Sequence, residues 1–308
     1  MVILNLMKLP DFLVIGAAKS GTVSLYHYLQ QHPQIYMSPQ NEPNYWALAG
    51  ADFATHFQGP GDRQAIEQYY VTDQAAYEKL FAQADPEQCV GESSPVYLYS
   101  ARAAHQIQAH LPHCKLVVIL RHPADRAYSH YRHFRRAGLE PLADFGLAVE
   151  AEPARIAQGW GPIPMWHYVQ MGFYGAQLQR YFDLFGRRQI GVWLYEQWRE
   201  APLELLQNIF AFLDVDDSFM PDMSVRHNRS GPWQHAKLRG LVASQERVRY
   251  WLKRWLPSAV HRHFHHRWHY HASAAPLEPA LRQELVELYR SDILQLQKLI
   301  ERDLSHWL

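Results

Sequence analysis

The chain has 308 residues, 48% of them hydrophobic, and its 30 basic and 30 acidic side chains balance to zero formal charge. That length can bury a sizeable core and suits one large α/β domain, while zero net charge excludes a global field that gathers nucleic acid or membrane. Two cysteines, Cys89 and Cys114, exclude a disulfide framework and fit a reduced, cytoplasmic setting. No run of about 18 apolar residues occurs, and the apolar stretch at 2–7 is too short for a span. A soluble protein with a local anion site is therefore expected.

An apolar run at 12–15 predicts a short buried strand, and a helical pattern starts at Thr22, with Leu25, Tyr28 and Leu29 on one face and a stop at Pro33. Between them lies Gly16-Ala17-Ala18-Lys19-Ser20-Gly21. Strand, tight loop and helix together point free backbone N–H groups at an anion. Lys19 adds a full positive charge, and Thr22 and Ser24 add hydroxyl donors. The order is not that of the NTPase loop, in which Lys follows the second Gly and a hydroxyl after it holds Mg²⁺.

Residues 34–37 read as a short extended run. Glu42 stands before Pro43, which biases it away from helix and onto a loop, where it is either a general base or a solvated carboxylate. Residues 50–72 read as a loop followed by a short helix. Residues 88–95 read as a core strand with a polar tip at Glu92, and 97–111 as a helix. The clearest strand is 115–121, whose five consecutive apolar residues suit a strand covered on both faces. Pro123 suits a first helical turn, and the helix runs through Ala127, Tyr131 and Phe134. Ser129 lies two turns in, on a face that can look back at Arg121. Arg135, Arg136, Glu150 and Glu152 read as surface.

A helix is expected over 173–185 and a strand over 189–195, followed by a helix face of Leu203, Leu206, Phe210 and Leu213. Residues 226–232 form a basic, glycine-containing loop. Six histidines fall within 261–271; no carboxylate or cysteine is interleaved among them, so a solvated or acceptor-facing basic segment is expected rather than a metal site. Leu281, Leu285, Leu288, Leu296 and Leu299 mark a long amphipathic helix packing on the body. Strands separated by helices imply a parallel α/β sheet, with ligands at the carboxyl ends of its strands. Lys19, Glu92 and Arg121 all follow core strands in that sense.

Four of these segments make the chain resemble the sulfotransferases that use 3′-phosphoadenosine 5′-phosphosulfate (PAPS), in their bacterial and heparan-sulfate-type branch. Gly16 to Thr22 resembles the family's 5′-phosphosulfate loop. Glu42-Pro43 resembles the Lys-Glu-Pro segment whose Glu serves as base. Arg121 with Ser129, eight residues on, resembles the 3′-phosphate segment. Asn228-Arg229-Ser230-Gly231-Pro232 resembles the late loop that closes over the nucleotide.

The resemblance implies a P-loop-like three-layer α/β fold, with a central parallel sheet of about five strands flanked by helices, in a single domain over 1–308. It implies that Lys19, Ser20, Gly21, Thr22, Val23 and Ser24 hold the 5′ end of the nucleotide. Arg121 and Ser129 would hold the 3′-phosphate, and Arg229, Ser230 and Gly231 would close over it. Lys19 and Glu42 would be catalytic, as leaving-group stabiliser and base. PAPS is then the co-substrate and PAP the product, with no metal. A small metabolite or a saccharide is the acceptor, and no nucleic acid or membrane partner is expected.

Two departures stand out. Asn41 occupies the position of the family's usual Lys. Glu92-Ser93-Ser94-Pro95 lacks the His that cytosolic sulfotransferases carry nearby, which favours Glu42 as base. A P-loop small-molecule kinase and a non-catalytic nucleotide-binding protein are the alternative readings.

Overall fold

The computed structural model describes residues 8–51, 59–60, 63–161, 165–224 and 276–308. In chain order the strands are β1 (Phe12–Gly16), β2 (Ile35–Met37), β3 (Cys89–Ser93), β4 (Lys115–Leu120) and β5 (Ile190–Leu194). The helices are α1 (Thr22–Leu29), α2 (Tyr45–Leu48), α3 (Arg63–Tyr69), α4 (Gln74–Lys79), α5 (Ala101–His110) and α6 (Pro123–Ala137). They continue with α7 (Phe145–Ala157), α8 (Tyr174–Leu184), α9 (Tyr195–Glu200), α10 (Pro202–Phe212) and α11 (Pro279–Ile300).

The five strands form one sheet in the order β2-β3-β1-β4-β5, and every pairing is parallel. The period of two along a strand sorts the apolar residues between two layers. Leu13 and Ile15 of β1 join Leu116, Val118 and Leu120 of β4 in one core, packed by α5, α6, α8 and α11. Phe12 and Val14 join Val117 and Ile119 in the other, packed by α1 and α10. This is the doubly covered parallel sheet that the apolar runs predicted. Gly91 is required by close approach, because a Cβ there would lie 2.1 Å from the Phe12 ring.

Several boundaries differ from expectation for local reasons. The helix expected over 97–111 starts only at Ala101, because the preceding stretch is tied to β1. There Ser94 N donates to Val14 O at 3.0 Å and Leu98 N to Ile15 O at 2.8 Å. The Ser100 side chain then caps the helix by accepting from Ala103 N. On α11 the core face is Leu285, Val286, Tyr289, Ile293 and Leu296; Leu288, expected to pack, is 50% exposed. Asp292 of α11 accepts from Gly175 N (2.8 Å) and Ala176 N (3.1 Å), capping α8 from 117 residues away.

Two carboxylates hold the α7 side of the molecule. Glu152, expected on the surface, is buried and accepts the N–H groups of Val169 (2.7 Å) and Gln170 (2.8 Å). Glu140 makes a two-pronged contact with Arg155 at 2.7 and 3.0 Å, and the Tyr168 hydroxyl donates to it at 2.7 Å. Both members of that pair are almost wholly buried. Breaking such a pair leaves an uncompensated charge away from water and costs about 3–5 kcal/mol. Arg155→Leu is therefore expected to lower the unfolding free energy in urea by that amount, and a loss below about 1 kcal/mol would show the pair to be dispensable.

Candidate active site

The carboxyl ends of β1, β3 and β4 lie side by side, and the loops leaving them form the site. After β1, Ala17 N donates to Ile119 O (2.8 Å), Ser20 N to Ala17 O (3.1 Å) and Leu25 N to Gly21 O (3.0 Å). Lys19 has φ 71° and Gly21 φ 93°, so the loop passes twice through the left-handed region. Gly21 suits that region, whereas Lys19 is held there against its preference. Gly21 is the N-cap of α1, with no side-chain cap, so the first-turn N–H groups from Thr22 onward are free for a ligand. Ser20, Thr22 and Ser24 are buried, and Ser20 Oγ has no hydrogen-bond partner; Val23 is half-buried.

Glu42 reaches the site from β2. Its N–H donates to Ser93 O at 2.9 Å, and the Asn44 N–H donates to Ser94 Oγ at 3.0 Å. Glu42 and Asn44 both have φ 57°, flanking Pro43. Arg121 leaves β4; its Nη1 donates to Lys19 O at 3.3 Å and its guanidinium lies 4.9 Å from the centre of the Tyr195 ring. Tyr195 also lies against Gly21. Next to Arg121 in the chain, His122 meets the Trp307 carbonyl through Nε2 at 3.1 Å, and burial holds its pKa down to about 4. Its Nε2 is committed to that carbonyl, and its Nδ1 has no partner. Ser129 is half-buried two turns into α6.

The electrostatics are lopsided. Burial lowers the Lys19 pKa to about 8; Glu42 opposes that shift, while Arg136, Arg121 and Arg126 add to it. The Glu42 pKa is raised by burial, with Lys19 as the opposing influence. Burial is also the first cause of the depressed pKa of His133, at about 3, with Lys19 and Arg136 contributing. His130 is likewise pushed well down, by burial and then by Arg126 and Lys19.

Arg126, His130, His133 and Arg136 recur at the 3.6-residue spacing of one face of α6, which the chain reading missed. Arg136, expected on the surface, is half-buried, and its own pKa is lowered by burial and by Arg132. Arg135 instead ties back to Glu140 O at 2.6 Å. Arg229, Ser230, Gly231 and the histidines of 261–271 lie outside the described residues. Among the described residues no group of three or more His, Cys, Asp or Glu is arranged to hold a metal ion, and no helix is long and apolar enough to cross a membrane.

A cationic loop before a helix N-terminus, at the carboxyl edge of a parallel sheet in this order, is the architecture of the P-loop-like α/β class. A family model described as "Sulfotransferase family" matches residues 10–219; the chain belongs to that family. A solved sulfotransferase from Alicyclobacillus acidocaldarius is similar at 33% identity and a TM-score of 0.75, covering 97% of this chain and 99% of that one. The bifunctional heparan sulfate N-deacetylase/N-sulfotransferase 2 of Bos taurus is 28% identical over 220 residues, which is 68% of this chain and 22% of that protein. The membrane-associated sulfotransferase kil1 of Dictyostelium discoideum is 33% identical over 134 residues, 42% of this chain and 24% of that protein. The chain thus spans about a fifth of the length of the curated relatives it matches.

The lowered Lys19 pKa sets a pH dependence. In the folded protein the ammonium loses its proton near pH 8, below the ordinary lysine value of 10.5. Anion binding uses the charged form, so affinity is full below about 8 and falls as pH rises through it. Sulfate, whose own charge is constant there, is expected to lose up to about tenfold in affinity per pH unit above that point. Lys19→Met should flatten the curve in an NMR titration; equal pH dependence in the two proteins would remove Lys19 from the site.

Proposed function

We propose that the protein transfers the sulfuryl group of PAPS to a hydroxyl or amine of a small metabolite or saccharide acceptor. The observation that carries this reading is the opposition of Lys19 and Glu42 across the loop edge, with Arg121 on the neighbouring strand end. Two separated anionic groups need two cationic sites, and the Lys19 loop and the Arg121–Ser129 segment supply them. The unbalanced positive charge around Lys19 supports the fit of a polyanionic nucleotide. PAPS supplies the activated sulfuryl group when bound.

In this reading the α1 N–H groups, Ser20, Thr22 and Ser24 orient the 5′ end. Lys19 meets the negative charge that builds on the leaving phosphate oxygen. Arg121, with Tyr195 beneath its guanidinium, and Ser129 hold the 3′-phosphate. Glu42 takes the acceptor's proton, and its raised pKa brings it closer to the range of a working base. Asn41, in place of the family's usual Lys, puts no second cation beside Glu42, which leaves the opposing charge to Lys19 alone. The heparan sulfate named for the bovine relative makes a saccharide one acceptor class to screen, next to hydroxylated metabolites.

Glu42→Gln keeps size and polarity but removes basicity. It is expected to leave PAP affinity near wild type and cut transfer by about 10²–10⁴-fold. The wild-type kcat/KM should rise with pH through the Glu42 pKa, a limb that the variant lacks. Near-full activity of Glu42→Gln would put the base elsewhere.

Arg121→Ala separates the two anion sites. It should weaken PAP by about 10- to 150-fold, the range for charge-assisted bonds, and leave adenosine 5′-phosphosulfate, which lacks the 3′-phosphate, nearly unchanged. Equal losses would make Arg121 a support of the loop through Lys19 O. Titration with ATP alongside PAP tests the kinase alternative directly.

A further inference from the structure

The scheme above gives no part to the segment that follows α11. There the chain turns at Glu301, which has φ 55°, and forms a 3₁₀ turn over Ser305–Trp307. Trp307 is buried and makes hydrogen bonds to two separate elements. Its carbonyl accepts the His122 Nε2–H at 3.1 Å, and its indole N–H donates to Glu196 Oε1 at 3.1 Å. His122 Nδ1 and Glu196 Oε2 are buried without a partner. Among the described residues, Trp307 is thus the one hydrogen-bond partner of both side chains.

Those two partners are chain neighbours of the second cationic site. His122 follows Arg121, and Glu196 follows Tyr195. Leu120 and Leu194, one residue before Arg121 and Tyr195, are register partners at the adjacent ends of β4 and β5. The Arg121 guanidinium lies over the Tyr195 ring, 4.9 Å from its centre. The contacts close into a circuit. Arg121 meets Tyr195 through the ring, and the chain joins Tyr195 to Glu196. Hydrogen bonds join Glu196 to Trp307 and Trp307 to His122, and the chain joins His122 to Arg121. A second strut runs from the same segment: Arg302 Nη1 donates to Gln197 Oε1 at 3.0 Å, the oxygen that also accepts Leu194 N at 2.9 Å.

A guanidinium binds a phosphate in two prongs only where its plane is held. Arg121 has little else to hold it. It is half-buried, and its Nη1 bond to Lys19 O is long, at 3.3 Å. We propose that Trp307 is a positioning residue for the 3′-phosphate site. By tying His122 to Glu196 it fixes the ends of β4 and β5 against each other, and so keeps the Arg121 guanidinium on the Tyr195 ring. Trp307 touches no reacting atom; its effect passes through the two strand ends. This inference rests on Arg121 holding the 3′-phosphate, but the geometry of Arg121 on Tyr195 has a readout independent of activity.

The test compares Trp307→Phe, Glu196→Leu and Glu196→Gln in the full chain. Phe keeps an aromatic ring and the backbone carbonyl and deletes the indole N–H. Trp307→Phe should weaken PAP by roughly 3- to 10-fold, the scale of one hydrogen bond. Adenosine 5′-phosphosulfate, which lacks the 3′-phosphate, should change by less than about twofold, the scatter of an uncoupled site. Glu196→Leu should give the same split from the α9 side. Glu196→Gln keeps the accepting oxygen and should stay near wild type. The Tyr195 ring should shield the Arg121 Nε–H proton in NMR. That resonance is expected to move downfield in Trp307→Phe and Glu196→Leu and to stay in place in Glu196→Gln.

Should Trp307→Phe fail to fold, Glu196→Leu read against Glu196→Gln decides the matter. Trp307→Phe added to Arg121→Ala should weaken PAP no further than Arg121→Ala alone. Unchanged PAP affinity, equal losses for PAP and adenosine 5′-phosphosulfate, or an unmoved Arg121 resonance overturns the inference. Should Arg121→Ala itself weaken both nucleotides equally, the 3′-phosphate assignment falls instead, and the resonance then still reports whether Trp307 holds Arg121 on Tyr195.

Discussion

A half-buried ammonium group beside several guanidiniums is the constraint on which the site depends. Taking an ion from water into a protein interior costs several kcal/mol unless it is paired. Lys19 bears that cost with Glu42 as its named opposing charge and with Arg136, Arg121 and Arg126 pressing the other way. The free protein therefore repels its own lysine. In the proposed reading a bound dianion adds attractions to Lys19 and to each guanidinium that offset their mutual repulsion. Burial first, and then the same cations, keep His130 and His133 neutral, which limits the positive charge the fold has to carry.

The sheet makes this arrangement possible. Because β1, β3 and β4 run parallel and adjacent, their carboxyl ends open on one edge. Three loops distant in sequence meet there within hydrogen-bonding reach. The register of β1 on β4 shifts between Val14 and Gly16, where the strand gives way to the loop. Lys19 and Glu42, the two residues assigned chemistry, both sit at positive φ. The surrounding backbone bonds hold them there, Ser20 N to Ala17 O on one side and Glu42 N to Ser93 O on the other. Local conformational preference gives way to the neighbouring strands at both places.

Much of this was legible from residues alone, for identifiable reasons. A run such as Leu116-Val117-Val118-Ile119-Leu120 has one comfortable place, between two helical layers, and the loop at Gly16 to Thr22 carries its anion chemistry in its composition. The strand order was not readable, because pairing between β1 and β3 joins residues some 80 positions apart. Nor was the burial of Glu152 and Arg136. Charged side chains are presumed exposed, and only the tertiary neighbours reveal the amides or cations that surround them. Arg136 had a signal that could have found it: its ten-residue offset from Arg126 is close to three helical turns. Leu288 erred the other way, since α11 carries leucines on more than one face and spacing alone does not rank them. The helices α4, α7 and α9 also went unannounced. Their starts depend on features such as the Asp73 and Asp144 caps, which accept from Ala76 N and Leu147 N, rather than on an apolar stripe.

The contact between His122 and the Trp307 carbonyl spans 185 residues of chain. Trp307 is also fastened to α9 through its indole N–H, which donates to Glu196. A ribosome adds about 5–20 residues per second, so roughly 10–40 s pass between the making of the two partners. During that interval the sheet residues of β1 to β4 already exist, while the carbonyl that meets His122 does not. The nascent protein thus acquires its cationic loop early and the partners of His122 and Glu196 late.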